Sequence, residues 1–244
     1  VFVCAAGALA FIGYGYWHGQ QNNKQLEQIG FNAPDAAALQ RMDLASFTVD
    51  WDALRAINPD VVGWIYVPGT TVNFPIVHGT DDEHYLKTDF YGQTSWVSFG
   101  SIFLSATNAA DFSDANNIVY GHHMNDGSMF SPFADFGDAD TFNGHRTVYV
   151  FTPTANYQLT TFSIVHCAAD DPLAQTAFAS EQERQAYVQD KVDRSVVTVA
   201  GLPSAADMKH AFAFSTCDNL ASNGRWVLFA YESGSTAAAS SVVA

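Results

Sequence analysis

Cys217, Arg225 and the pair His122-His123 are the residues whose types and spacing could carry covalent chemistry. The runs HAFAFSTC (210–217) and RWVLFAYE (225–232) are short, β-branched and aromatic, and the DNLASNG between them ends in an Asn-Gly turn signal, so the pair reads as a hairpin. A hairpin sets Cys217 at the exit of one strand and Arg225 at the entry of the next, within side-chain reach. Arg225 is also the one Lys or Arg after Lys209. A fixed positive charge beside a thiol favours thiolate and can hold an oxyanion. The same residue types also fit a small buried thiol and a solvated edge arginine, so the pair alone leaves both readings open.

The third element is Tyr120-Gly121-His122-His123-Met124, directly after the apolar run NNIVY. Neighbouring strand residues point to opposite faces, so the pattern puts His122 on the face of Tyr120 and turns His123 away. A histidine near Cys217 could act as general base and acid, as cysteine-histidine enzymes require. A metal-binding module drawing on His122, His123, His145, His166, Cys167 and Cys217 is an alternative, although no pair has a helical i, i+4 or C-x-x-C ligand spacing. A non-catalytic adhesin domain with an inert thiol is another. His78, His84, His145 and His210 read as structural or surface residues.

Positioning these groups requires a sizeable β-rich domain. The runs at 61–67, 72–77, 100–104, 117–121, 146–151 and 157–166 join the two above as eight strand signals separated by Gly, Pro, Asn and Asp. Eight strands with few helical breaks predict a mainly β barrel or sandwich. Two helices are expected around them. Trp51, Leu54 and Ile57 recur at helical spacing behind Asp50 and before Asn58-Pro59-Asp60, while Ser180 with Glu183 forms a capping box opening EQERQAYVQDKVDRS. With 244 residues, 48% hydrophobic and 14% charged, the chain folds around a large core. Ten Lys+Arg against 25 Asp+Glu give a net charge of −15, which repels a phosphate backbone and excludes nucleic acid as a partner. Three Cys are too few for a disulfide framework.

The ends differ in kind. Residues 1–17 carry no charge and finish in Tyr and Trp, which predicts a truncated N-terminal membrane anchor with an extracellular domain beyond it. An alternative is a signal peptide cleaved near Ala8-Leu9-Ala10. Cys4 reads as apolar filler. Residues 18–45 turn polar and suggest a helical stalk or linker, 46–232 the functional domain, and 233–244, rich in small residues, a disordered tail.

Several motifs stand together in order: Asn58-Pro59-Asp60-Val61-Val62-Gly63-Trp64, Pro75-Ile76-Val77, Gly100-Ser101-Ile102-Phe103, Tyr120-Gly121-His122-His123-Met124 with Ser128-Met129-Phe130, and Ser215-Thr216-Cys217 followed by Arg225. Over roughly residues 46–232 the sequence resembles the sortases of class B, membrane-anchored cysteine transpeptidases of Gram-positive bacteria. The resemblance implies an eight-stranded β-barrel with N-terminal helices and one helix inserted before the C-terminal hairpin. It implies Cys217 as nucleophile, His122 as catalytic histidine and Arg225 as catalytic arginine, with Leu86, Tyr120, Leu173, Ser215 and Thr216 lining the sorting-signal groove. It further implies cleavage of a sorting signal after Thr through a thioacyl intermediate, then transfer to an amine. The partners would be sorting-signal-bearing surface proteins and a cell-wall precursor or pilin amine, with no cofactor and no metal.

Overall fold

A computed structural model describes residues 2–32, 44–94, 99–171, 175–220 and 223–238. Its elements run α1 (Phe2–Gly30), β1 (Phe31–Asn32), β2 (Thr48–Val49), α2 (Trp51–Ile57), β3 (Val61–Tyr66), β4 (Asn73–His78), α3 (His84–Lys87), β5 (Ile102–Leu104) and β6 (Asn116–Tyr120). They continue with α4 (Pro132–Asp135), α5 (Ala139–Gly144), β7 (Thr147–Phe151), β8 (Ala155–Ala168), α6 (Glu181–Asp193), β9 (Ala211–Cys217) and β10 (Gly224–Ala237). Strands β3 to β10 close into an eight-stranded barrel in the order β10-β8-β7-β3-β4-β5-β6-β9. Each barrel strand coincides with one of the eight β-branched and aromatic runs of the sequence. Pro75, which cannot donate to a ladder, lies in β4 just before the parallel pairing with β5 begins at Ile76.

Alternation along the strands divides the apolar residues into an inside and two outer layers. Inside, Ile65, Ile76, Val119, Phe130, Phe133, Val150, Phe212, Phe214 and Leu228 form the core. One outer layer lies over β3, β4 and β7, where Trp64, Val77 and Phe151 meet Leu26 of α1, Phe31 and Leu54 of α2. The other lies over β6, β8, β9 and β10, where Ile118, Val165, Ala213, Val227 and Phe229 are covered by Tyr187 and Val188 of α6. Both helices start on the side chains the sequence marks. Asp50 accepts from Ala53 N and Ser180 from Glu183 N, and Glu183 reaches back to Ala179 N at 2.6 Å.

Two expectations are corrected. The expected single-pass anchor is not supported: among the described residues no helix is long and apolar enough to cross a membrane. The physical reason visible here is that α1 turns polar after Trp17, its second half carrying Gln20, Gln21, Asn22, Asn23, Gln25 and Gln28. That half leans on the barrel: Leu26 is 1% exposed, and Gln20 donates to Asp126 Oδ2 at 2.9 Å. The expected tail is also shorter at its start, since β10 continues through 233–237 and pairs Gly234 to Ala237 with Gln158 to Ala155. Small residues are compatible with that edge because the ladder's backbone hydrogen bonds carry the pairing.

Candidate active site

The C-terminal hairpin fixes the first two groups. In the β9–β10 ladder Arg225 lies directly opposite Cys217, and such cross-strand partners hold their Cβ atoms about 4.5–5.5 Å apart on one face. That face is the outer one, since Ala213 and Val227 on the same alternation belong to the layer under α6. Both residues are half-buried at the rim where the layer ends. The Arg225 guanidinium donates through Nη1 to Gly224 O at 3.0 Å and to Asn223 O at 3.3 Å. Both acceptors are neutral, so neither bond cancels the arginine's charge.

On the other side of β9 runs β6, parallel to it, with Tyr120 beside Ser215 as their last registered pair. Gly121 N donates the final ladder bond to Ser215 O at 3.1 Å. Two residues beyond this rung come His122, past the end of β6, and Cys217, the last residue of β9. His122 Nε2 lies 2.6 Å from Leu86 O. A carbonyl only accepts, so Nε2 carries the hydrogen, and Nδ1 is the nitrogen left to take up or release a proton. Leu86 O is free for this bond because α3 ends at Lys87, leaving its last carbonyls outside the helical ladder. Gly100, at φ +51°, lets the chain pass close by: a Cβ there would stand 2.6 Å from Tyr85 O, 2.8 Å from Leu86 O and 3.0 Å from His122 Cδ2.

Of the groove residues named from sequence, Leu86, Tyr120 and Ser215 share this rim with His122, Cys217 and Arg225. Leu86 is 36% exposed, and the Tyr120 ring packs 5.3 Å from Phe103. Burial lifts the Tyr120 phenol above its ordinary pKa and Asp82 adds to the rise, while Arg225 opposes it. A hydrogen bond with Ser105 also opposes the rise, and it engages the phenol oxygen. Thr216 is different. It sits opposite Trp226 on the inward alternation of Phe212 and Phe214, 2% exposed, with a buried Oγ1 that has no hydrogen-bond partner. It faces the barrel interior rather than the groove, because the period of two puts it on the face opposite Cys217. Leu173 lies outside the described residues.

Sequence reasoning also missed several contacts. His123 does not turn away as alternation suggests, because the strand ends at Tyr120 and the period of two stops with it. Its Nδ1 is 2.9 Å from Cys217 O. Asp218, next to the thiol, has a side chain only 1% exposed and accepts from His166 Nε2 at 2.9 Å and from Leu220 N at 2.9 Å. His166 in turn stacks on Trp226 at 4.3 Å between centroids. An Asp opening a hairpin loop was the one available signal for this; nothing in the sequence pointed to His166. Cys167 is the partner of Arg225 on the β8 side, and burial pushes its thiol up to about 11. The residues of the alternative metal module are dispersed, and among the described residues no three His, Cys, Asp or Glu gather where they could hold an ion.

No family model matches the chain. Among curated proteins it is similar to sortase B of Listeria monocytogenes, 30% identical over 190 residues that cover 75% of this chain and 76% of the relative. It is also similar to sortase B of Staphylococcus aureus, 29% identical over 169 residues, covering 69% of this chain and 68% of the relative. Among solved structures, a mutant form of sortase B from Clostridium perfringens superposes with a TM-score of 0.76 at 25% identity, over 88% of this chain and 98% of that one.

Proposed function

This chain belongs to the sortase B family and is a sortase cysteine transpeptidase, and from that premise we propose that Cys217 is its nucleophile, His122 its acid–base group and Arg225 its oxyanion donor. The observation that carries the assignment is the register that sets Arg225 opposite Cys217 while the strand leading into His122 runs alongside. The catalytic unit expected over 46–232 extends with β10 to Ala237, and the substrate is a sorting signal cleaved after Thr.

In the first step the Cys217 thiolate attacks the Thr carbonyl carbon, forming a C–S bond, and the oxyanion accepts from the Arg225 guanidinium. The C–N bond then breaks as His122 Nδ1 gives its proton to the departing amine. In the second step an incoming amine attacks the thioacyl carbon and passes its proton to Nδ1. The C–S bond breaks and the thiolate returns, so no proton or electron is left unbalanced. Tyr120, Ser215 and Leu86 line the approach. The acceptor is an amine of a cell-wall peptide or a pilin, and the donor a sorting-signal-bearing surface protein.

The test incubates the protein with a library of Thr-containing peptides plus an amine, with products read by mass spectrometry. Cleavage after Thr, with the amine joined to the new carboxyl end, is expected from the unaltered protein and from none of the Cys217→Ala variant. Full activity in that variant overturns the assignment of the nucleophile, and cleavage elsewhere overturns the substrate reading.

A further inference from the structure

The β6–β9 ladder ends one rung before the two groups that must meet. Its last bond is Gly121 N to Ser215 O, so His122 and Cys217 both stand beyond it. Two side-chain bonds cross the gap in opposite directions. His123 Nδ1 donates to Cys217 O at 2.9 Å. Asn219 Nδ2 donates to His123 O at 2.8 Å, from a residue whose φ of +56° turns the loop back toward β6. The His122–His123 segment is also held from behind, by Phe130 N donating to His122 O at 2.9 Å and by the bridge between His123 and Met129. The result is a reciprocal clasp that continues the pairing where backbone pairing stops.

We infer that His123 is a positioning residue: together with Asn219 it clasps the segment bearing His122 to the end of the strand bearing Cys217 and so sets the distance between acid–base group and nucleophile. The inference rests on the roles proposed above for His122 and Cys217. Because its Nδ1 is committed to a carbonyl, the His123 imidazole takes no proton from the reaction at that atom. Its contribution is geometric, and geometry is costly to lose: a displacement of about 1 Å between reacting groups can cost about a hundredfold in rate.

The geometry specifies the substitutes. Asn carries an amide nitrogen at the same branch position as imidazole Nδ1, so it can donate to Cys217 O; Asp has the same reach but, ionised, only accepts. Steady-state kinetics on the peptide that the library selects, with hydroxylamine as acceptor, should show kcat falling about tenfold or more in His123→Ala and His123→Asp with KM little changed. His123→Asn should recover most of the loss and keep the shape of the wild-type pH profile. Wild-type kcat in His123→Ala overturns the inference, as does a His123→Asn variant as slow as Ala or one missing a limb of the pH profile, since either would mean that the imidazole itself titrates in the reaction. If His123→Ala fails to fold, Asn219→Ala decides instead, with a fall in kcat of several-fold expected and an unchanged kcat refuting the clasp. His122→Ala and Cys217→Ala are run beside these. Should they stay active, the site assignment fails; should they be dead while the His123 series behaves as wild type, only the clasp fails.

Discussion

Replacing Gly100 by Ala tests whether the Leu86 carbonyl sets the orientation of His122. Two costs add. A residue with a Cβ at φ +51° gives up about 1–2 kcal/mol to its left-handed backbone. The Cβ also meets two backbone oxygens and the imidazole edge, at 2.6, 2.8 and 3.0 Å. Relief requires the end of α3 to move off, stretching the Leu86 O bond to His122 Nε2, and losing a hydrogen bond of this kind costs about 0.5–1.5 kcal/mol. Together about 1.5–3.5 kcal/mol is expected, a fall in Tm of roughly 3–14 °C for a domain of this size. An imidazole released from its carbonyl loses part of an acid–base contribution worth about 10²–10⁴-fold, so kcat/KM at 25 °C should drop about tenfold or more. Gly92→Ala is the matched control. At φ +76° with nothing within 4 Å of the added Cβ, it carries the backbone cost of about 1–2 kcal/mol alone and keeps wild-type kcat/KM. Melting by circular dichroism and peptide kinetics on both variants decide the matter. A Gly100→Ala protein that melts no lower than Gly92→Ala and turns over normally refutes the reasoning.

Arg225→Lys separates a directed hydrogen bond from a mere positive field: the guanidinium fork is not reproduced by an ammonium, so kcat/KM should fall by about 2–4 kcal/mol of transition-state stabilisation, and near-wild-type rates with Lys reject the oxyanion role. Iodoacetamide labelling with peptide mapping should find Cys217 modified quickly at neutral pH and Cys167 slowly, the latter accelerating only as pH climbs toward about 11, because below that value its thiol stays protonated; fast labelling of Cys167 at pH 7 would contradict its burial. Ser180→Ala removes the cap on α6, far from the groove, and should lower stability by about 1 kcal/mol while kcat/KM stays unchanged, as a melt and a rate measurement would show.

The strands were legible because each is a short β-branched or aromatic run between turn residues, a local property of the chain. The hairpin was legible too, since two such runs so close in sequence bring Cys217 and Arg225 within reach, although the Asn-Gly is not the turn itself: Gly224 already belongs to β10 and the strands are joined by 218–223. Alternation failed at both of its ends. It was extended to His123, past the last strand residue, where the backbone no longer alternates. It was not applied to Thr216, whose place next to Cys217 in sequence puts it on the opposite face. The His122 partner could not be read at all, because it is a main-chain carbonyl supplied by a helix remote in sequence. The N-terminal run misled for a related reason. Its composition is apolar, but the same helix continues into a polar half, and that half is used against the barrel.

The parallel pairing of β6 with β9 has a consequence for when the reactive group comes into being. The strands are separated by α4, α5, β7, β8 and α6 in the chain, so their contact closes a very long loop, and contacts of that kind form late because the closure entropy must be overcome first. The hairpin that brings Arg225 to Cys217 is local and can form early, but the histidine arrives only across the far seam. A nascent or partly folded chain therefore carries a thiol without its neighbour, and completion of the barrel is the event that assembles the proposed nucleophile. Recovery of thiol reactivity during refolding then reports closure of the whole cylinder rather than the formation of any one strand.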